Sequence, residues 1–140
     1  MAIEFLERCD VIEECYEFLL GYAAQGLPTD DGSPAGREVR TQLQNGRQGL
    51  VGLVDSCKRA ITEQQLEPAA KYDHFISTLD RDVQDSLAAI ELVLAQPALS
   101  SQLIDNLNAS SHLRALLTDL FLIGEILRTR ERVAGVSERD

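Results

Sequence analysis

Residues 45–57 read NGRQGLVGLVDSC, and they decide how the middle of the chain folds. Three glycines recur here at every third position, and a glycine inside a helix costs about 1 kcal/mol relative to alanine. The apolar positions nevertheless keep steps of three and four through the glycines, at Val39, Leu43, Gly46, Leu50, Val54, Cys57 and Ile61. Because this spacing keeps one helix face in phase, we predict one continuous helix, with Asn45-Gly46 as the place for any kink.

The glycines also define a notch on this predicted helix. Gly46 falls within the apolar face and Gly49 on its flank, whereas Gly52 points outward. Phosphate-binding loops need either a Lys-Ser/Thr pair after a strand or a G-x-G-x-x-G turn in a βαβ unit, and the stretch has neither. Two interpretations remain: close packing of a neighbouring side chain of the size of Tyr16 or Phe75, or a ligand pocket beside Gly46 and Gly49.

Two arginines bear on the choice between these interpretations. Arg40 and Arg47 lie on one edge of the same predicted helix, where they could reach an anion bound in the notch. Ion pairs with Glu13 or Glu17 of the first helix are the simpler expectation.

Helical spacing also predicts the rest of the architecture. A first helix spans about 3–24, a loop of turn-forming residues follows, and Ser33-Pro34 begins the second helix. Pro68 begins a third helix that ends near Gln96-Pro97. A short helix that contains Leu103 follows, and Ser110 or Ser111 caps the last helix. The predicted fold is all-α: an antiparallel up-down four-helix bundle with one additional short helix, forming a single domain over 1–134 with a frayed tail at 135–140.

Two of the predicted helices carry more apolar surface than one core contact requires. Beside its inward seam, the first helix has a second apolar stripe at Val11, Cys15, Phe18 and Tyr22. The last helix buries one face and leaves Phe121, Leu122 and Ile126 outside it. We expect these residues to bind a partner and to support a homodimer. The open alternative is that the short helix and the long loop cover them.

The charge distribution argues against some partners. The net charge is −10, and residues 1–35 alone carry eight acids against one arginine. A negative field of this kind repels phosphate backbones, so we expect no nucleic-acid partner. The longest apolar run, 120–124, is far shorter than the roughly 20 residues that span a bilayer, so we expect no membrane partner.

The residues that commonly support metal or nucleophilic chemistry are few and scattered. Cys9, Cys15 and Cys57 form no C-x-x-C pair, and neither His74 nor His112 belongs to the Glu-x-x-His motif of di-iron bundles. The acidic residues fall on outward helix faces, which disfavours a carboxylate pair held in a cleft. We therefore expect no metal, cofactor or catalytic residue. An odd number of thiols without a signal peptide favours a cytoplasmic location.

These observations favour a non-enzymatic protein that acts through protein–protein interaction, of the adaptor, regulator or dedicated-chaperone type. The alternative is a bundle that binds a small ligand or cofactor beside Gly46 and Gly49.

Overall fold

The computed structural model describes the backbone of residues 3–139 and the side chains of residues 3–133. Six α-helices follow one another: α1 (Ile3–Ala24), α2 (Pro34–Leu50), α3 (Leu53–Glu63), α4 (Ala69–Leu94), α5 (Ser101–Asn108) and α6 (Ser111–Arg139). The described backbone contains no β-strand, so the predicted all-α class is confirmed. The frayed tail predicted at 135–140 lies outside the residues whose side chains are described.

The break between α2 and α3 shows that the prediction of one continuous helix was wrong. α2 ends at Leu50, Val51 adopts an extended conformation, and Gly52 has a left-handed φ of 85°. Only glycine takes this conformation without steric cost, so Gly52 is the residue that permits the break. Buried residues continue at helical spacing on both sides, for example Leu50, Leu53 and Cys57. The periodicity therefore gave no sign of the interruption.

Arg8 of α1 stabilises the break. The last carbonyls of a helix have no partner within the helix, and the Arg8 guanidinium donates hydrogen bonds to the carbonyls of Gln48 at 3.0 Å and Val51 at 2.7 Å. Glu4, one turn earlier, accepts a hydrogen bond from Arg59 of α3 at 2.6 Å. The start of α1 thus holds both sides of the α2–α3 junction.

The starts of α2 and α6 follow the predicted capping residues, and Ser100, which was not predicted as a cap, begins α5. Ser33 accepts a hydrogen bond from the Gly36 N–H at 3.0 Å, with Pro34 in the first turn. Ser100 accepts from the Leu103 N–H at 3.0 Å, and Ser110 accepts from the Leu113 N–H at 3.3 Å. Each hydroxyl satisfies a backbone donor that the first turn of a helix leaves free.

The core lies between α1 and α4, each of which packs against α2, α3, α5 and α6. The predicted inward face of α6 is buried throughout, at Leu113, Leu116, Leu117, Leu120, Ile123 and Leu127. Among the described helices, none combines the length and the apolar character needed to cross a membrane.

The start of α5 closes over the end of α1. The Ser101 N–H donates to the Leu27 carbonyl at 2.8 Å, and the Ser101 hydroxyl donates to the Tyr22 carbonyl at 2.7 Å. The Tyr22 hydroxyl donates to the Leu99 carbonyl at 2.6 Å. The loop and the short helix therefore cover Tyr22, as one of the two interpretations of the apolar stripe expected.

Asp30 anchors the same loop to two other segments. Its Oδ1 accepts the Leu99 N–H at 2.7 Å, and its Oδ2 accepts Arg40 Nε at 3.0 Å. Arg40 also donates to the carbonyls of Leu94 at 3.2 Å and Gln96 at 2.8 Å. Burial alone would raise the pKa of Asp30, but the hydrogen bonds from Leu99 and Arg40 outweigh burial and lower this pKa. We call this group of contacts the Asp30 clasp.

Candidate functional site

The glycine notch is filled by α1. A Cβ atom added to Gly46 would lie 2.8 Å from the Cys15 Sγ, and one added to Gly49 would lie 3.1 Å from the Ile12 Cγ1. Both glycines are buried. The notch thus serves the close approach of α1 to α2, which was the first of the two sequence interpretations, although smaller side chains than Tyr16 or Phe75 make the contact.

The two arginines do not converge on the notch. Arg40 belongs to the Asp30 clasp, and Arg47 pairs with Glu91 of α4 at 3.1 Å. The expected pairs with Glu13 or Glu17 do not form, because these arginines reach the loop and α4 instead of α1. Both members of the Arg47–Glu91 pair are largely exposed, so this pair contributes little to stability.

Replacing Gly46 with alanine is expected to destabilise the chain by about 1–2 kcal/mol, because the new methyl group would overlap the Cys15 sulfur. In a Cys15→Ala background the same change should cost clearly less, because the sulfur is gone and only the Cβ of residue 15, at 3.2 Å, remains close to the new methyl group. Urea denaturation of the four variants in this double-mutant cycle measures the coupling.

A Cys57→Ala background is the matched control for this cycle, because it also removes a buried thiol but leaves the Gly46 contact intact. Equal effects of Gly46→Ala in the Cys15→Ala and Cys57→Ala backgrounds would contradict the assigned contact.

Most of the second apolar stripe of α1 is covered by other parts of the chain. Cys15 is 4% exposed and Tyr22 is 1% exposed, so their prediction as partner-binding residues is corrected. α2 covers Cys15 through Gly46, and the α5 start covers Tyr22. Phe18 is half-buried against the core, and Val11 remains exposed.

The cysteines are unsuited to thiolate chemistry. All three are unpaired and buried. Burial raises the pKa of Cys15 to about 11 and the pKa values of Cys9 and Cys57 to about 12. Since the thiolate is the reactive form, these thiols act as small apolar groups. Within the described residues, no group of three or more His, Cys, Asp and Glu side chains is placed to hold a metal ion.

The groove between α1 and α2 is polar. It has a volume of about 500 Å³, and its walls carry Val11 and Gly49 together with glutamates of α1 and amide side chains of α2. Arg8 is the positive group in its lining, and its two Nη atoms already donate to the helix-end carbonyls and to Glu4. Polar and apolar atoms line this groove in similar measure, whereas most ligand sites are lined predominantly by apolar groups.

The predicted stripe of α6 is exposed. Phe121 and Leu122 are each 58% exposed, and Ile126 is 40% exposed. Large apolar side chains clustered at a surface mark an interaction site more often than isolated ones do. Of the apolar surface that the sequence predicts to be free, these three residues form the strongest feature.

Leu122 and Ile126 also form one wall of a groove of about 340 Å³. The other wall comes from the start of α4. We call this the α4–α6 groove, and its lining residues are Glu67, Pro68, Lys71, Tyr72, Phe75, Leu122, Ile123 and Ile126. The interior is apolar, and the charged groups in the lining are Glu67 and Lys71.

Sequence reasoning missed the α4 wall of this groove. Helical spacing places Tyr72 in phase with the buried Ile76, Leu79 and Val83 and so predicts an inward position, but the structure leaves Tyr72 and Phe75 only half-buried. The signal was the two aromatic residues three positions apart at the start of α4, in a chain with few aromatics. Their position opposite Leu122 depends on how α4 packs on α6, which local spacing does not specify.

An acidic pair was also missed. Asp119 of α6 is 7% exposed, so the expectation that acidic residues fall on outward faces is wrong at this position. Its carboxyl group interacts with that of Asp82 on α4. Burial, followed by the hydrogen bond and the negative charge of Asp82, raises the pKa of Asp119 from 3.8 to about 7. The signal was an aspartate between Leu116 and Leu120 on the apolar face.

The histidines lie apart from these features. His74 is exposed on α4, and His112 is exposed near the start of α6, where its Nδ1 lies 3.7 Å from Asp85.

No protein-family model, curated protein or solved structure matches this chain. Its function must therefore be inferred from the surfaces and groups described above.

Proposed function

We propose that this chain binds another protein and that the α4–α6 groove receives an apolar helix of that partner. The observation that carries the proposal is the continuity of the groove with the exposed stripe Phe121, Leu122 and Ile126. A groove with an apolar interior beside exposed apolar residues loses unfavourable contact with water when a partner covers it.

The arrangement of the walls supports a helical ligand. Leu122 and Ile126 are one turn apart on α6, and Tyr72 and Phe75 are nearly one turn apart on α4. A partner helix with apolar residues at steps of three and four would place successive side chains along such a groove. Tyr72 and Phe75 supply large, rigid contact areas of the kind that concentrate binding energy.

We infer that the helices are arranged as an up-down bundle in which α2 and α3 together take the place of one long helix and α5 is the additional short one. We further infer that the homodimer expected from the sequence uses α6 instead of α1, because Cys15 and Tyr22 are buried within the chain. The unpaired thiols support the proposed cytoplasmic location.

The alternative of a small-ligand pocket beside Gly46 and Gly49 receives no support, since side chains of α1 occupy that space. The chain is proposed to be non-enzymatic, in the adaptor, regulator or dedicated-chaperone class.

Replacing Leu122 with alanine is expected to weaken partner binding by at least about tenfold. The change removes one wall of the groove but leaves the stability of the chain nearly unchanged, because Leu122 is mostly exposed. Proteins captured by the wild-type chain from a lysate of its own cells would be identified by mass spectrometry. Each would then be purified, and its affinity for the two variants measured by isothermal titration calorimetry.

Leu92→Ala is the matched control, because Leu92 is 66% exposed on α4 and lies outside the groove lining. This variant should bind with wild-type affinity. A captured protein that binds Leu122→Ala as tightly as the wild type would overturn the proposed site. Sedimentation equilibrium of the wild-type chain alone tests for self-association.

A further inference from the structure

Asp82 lies on α4 one turn before Ser86, whose hydroxyl donates to the His112 carbonyl near the start of α6 at 3.1 Å. Across this contact the Asp82 carboxyl group interacts with that of Asp119 on α6. Asp119 is 7% exposed, and its Oδ2 accepts no hydrogen bond from any described residue. Residues one turn away from Asp119 on α6 include Leu116 and Ile123, which are buried and apolar. The carboxyl group is therefore held in the apolar contact between the two helices.

The charged groups on the neighbouring helices do not neutralise this pair. On α4, Asp85 contacts His112 near the start of α6. On α1, Asp10 lies 3.5 Å from Arg128, a residue further along α6. The positive charge of Arg128 also acts on the nearby Glu13 of α1.

α5 carries Asp105, which is exposed. Among the described residues, Asp82 is the charged group that raises the pKa of Asp119. Two carboxylates this close, with no cation between them, are stable only when one of them holds a proton.

We propose that Asp82 and Asp119 share one proton across the α4–α6 contact, and that loss of this proton as the pH rises loosens the packing of α4 on α6. In the protonated pair, the Asp119 carboxyl group donates a hydrogen bond to the Asp82 carboxylate. Without the proton, two negative charges face each other in a site with little water, so the contact is weakened.

The direction of the pH dependence follows from the pKa values. The pKa of Asp119 is about 7 in the folded chain, against an ordinary value of 3.8. The stabilising effect of the proton is therefore fully present below about pH 4 and is lost progressively as the pH rises towards about 7.

The pair lies on the same helix contact as the α4–α6 groove. Leu122 and Ile123 follow Asp119 by one turn, and Phe75 precedes Asp82 by two turns. A looser contact at the pair would alter the spacing of the groove walls. This consequence, that partner binding depends on the Asp119 proton, rests on the proposed function.

Asp119→Asn tests the shared proton, because the amide can donate to Asp82 at any pH and has no proton to lose. Urea denaturation from pH 4 to pH 8 should show the wild-type unfolding constant rising relative to that of Asp119→Asn, by up to about tenfold per pH unit between about pH 4 and 7. Asp80→Asn, an exposed change on α4, should follow the wild-type curve.

A carbon-13 NMR titration of the Asp119 carboxyl group gives a readout that does not depend on stability. A midpoint near 7 supports the proposal, and a midpoint near 4 overturns it, as do parallel denaturation curves for the wild type and Asp119→Asn. Neither measurement needs the partner, so failure of the proposed function would leave this result intact. Partner affinity that varies equally with pH in both variants would overturn the link to the groove.

Discussion

Gly36→Ala is expected to destabilise the chain by about 3 kcal/mol, more than the Gly46→Ala change does. A Cβ atom added to Gly36 would overlap the backbone carbonyl oxygen of Asp30 and lie 2.6 Å from its carbonyl carbon. Backbone atoms cannot move aside as a flexible side chain does, and Asp30 is held in place by its hydrogen bonds to Leu99 and Arg40. The loop would therefore have to separate from α2.

Thermal or urea denaturation measures this effect, and Gly21→Ala is the matched control. Gly21 lies in α1 with no atom within 4 Å of an added Cβ. In this open position alanine should stabilise the helix by about 0.5–1 kcal/mol. The two identical substitutions are thus expected to have opposite signs, and a Gly36→Ala variant as stable as the wild type would disprove the close contact.

Asp30→Ala is expected to destabilise the chain by about 2–3 kcal/mol, since it removes charge-assisted hydrogen bonds and leaves the Leu99 N–H and the Arg40 Nε without their acceptor. Asp31→Ala is the control, because it removes the same charge from the adjacent, exposed residue. That variant should stay within about 0.5 kcal/mol of the wild type.

Asp30 and Asp119 are expected to respond to pH in opposite directions. The pKa of Asp30 is lowered below 3.8, so its contribution is present above that pH and is lost as the pH falls through the lowered value. Asp30→Ala should therefore reduce the pH dependence of the free energy of unfolding at acidic pH. Asp119→Asn should reduce this pH dependence between about pH 4 and 7. Reversed effects would contradict the hydrogen bonds assigned to each carboxyl group.

Much of the secondary structure could be predicted because apolar spacing and capping residues act locally. The bounds predicted for α1, the Ser33-Pro34 start of α2 and the buried face of α6 all agree with the structure. The exposure of Phe121, Leu122 and Ile126 also follows from their angular position on α6.

The α2–α3 break could not be predicted from periodicity. Leu50, Leu53 and Cys57 are buried and maintain helical steps across Val51 and Gly52. What stabilises the interruption is Arg8, which donates to carbonyls at the end of α2 from about 40 positions earlier in the chain. Spacing within one segment contains no information about such a donor.

In the candidate site, too, some residues could be predicted from the sequence and others could not. One wall of the α4–α6 groove, at Leu122 and Ile126, was visible in the sequence as surplus apolar surface, but the opposing Tyr72 and Phe75 were not. Cys15 and Tyr22 looked like equivalent surplus surface on α1, yet Gly46 and the start of α5 cover them. Whether an apolar residue at the edge of a helix face is buried depends on the neighbouring helix.

The sequence by itself determined the helical class, most helix boundaries and the inward face of α6, because these depend on interactions over one or two turns. Only the tertiary structure decided that α2 stops at Leu50, that Gly36 touches the Asp30 backbone, that α1 fills the glycine notch and that Asp82 meets Asp119. Each of these features is a contact between different structural elements. Its energy depends on distances that the packing of the whole chain creates.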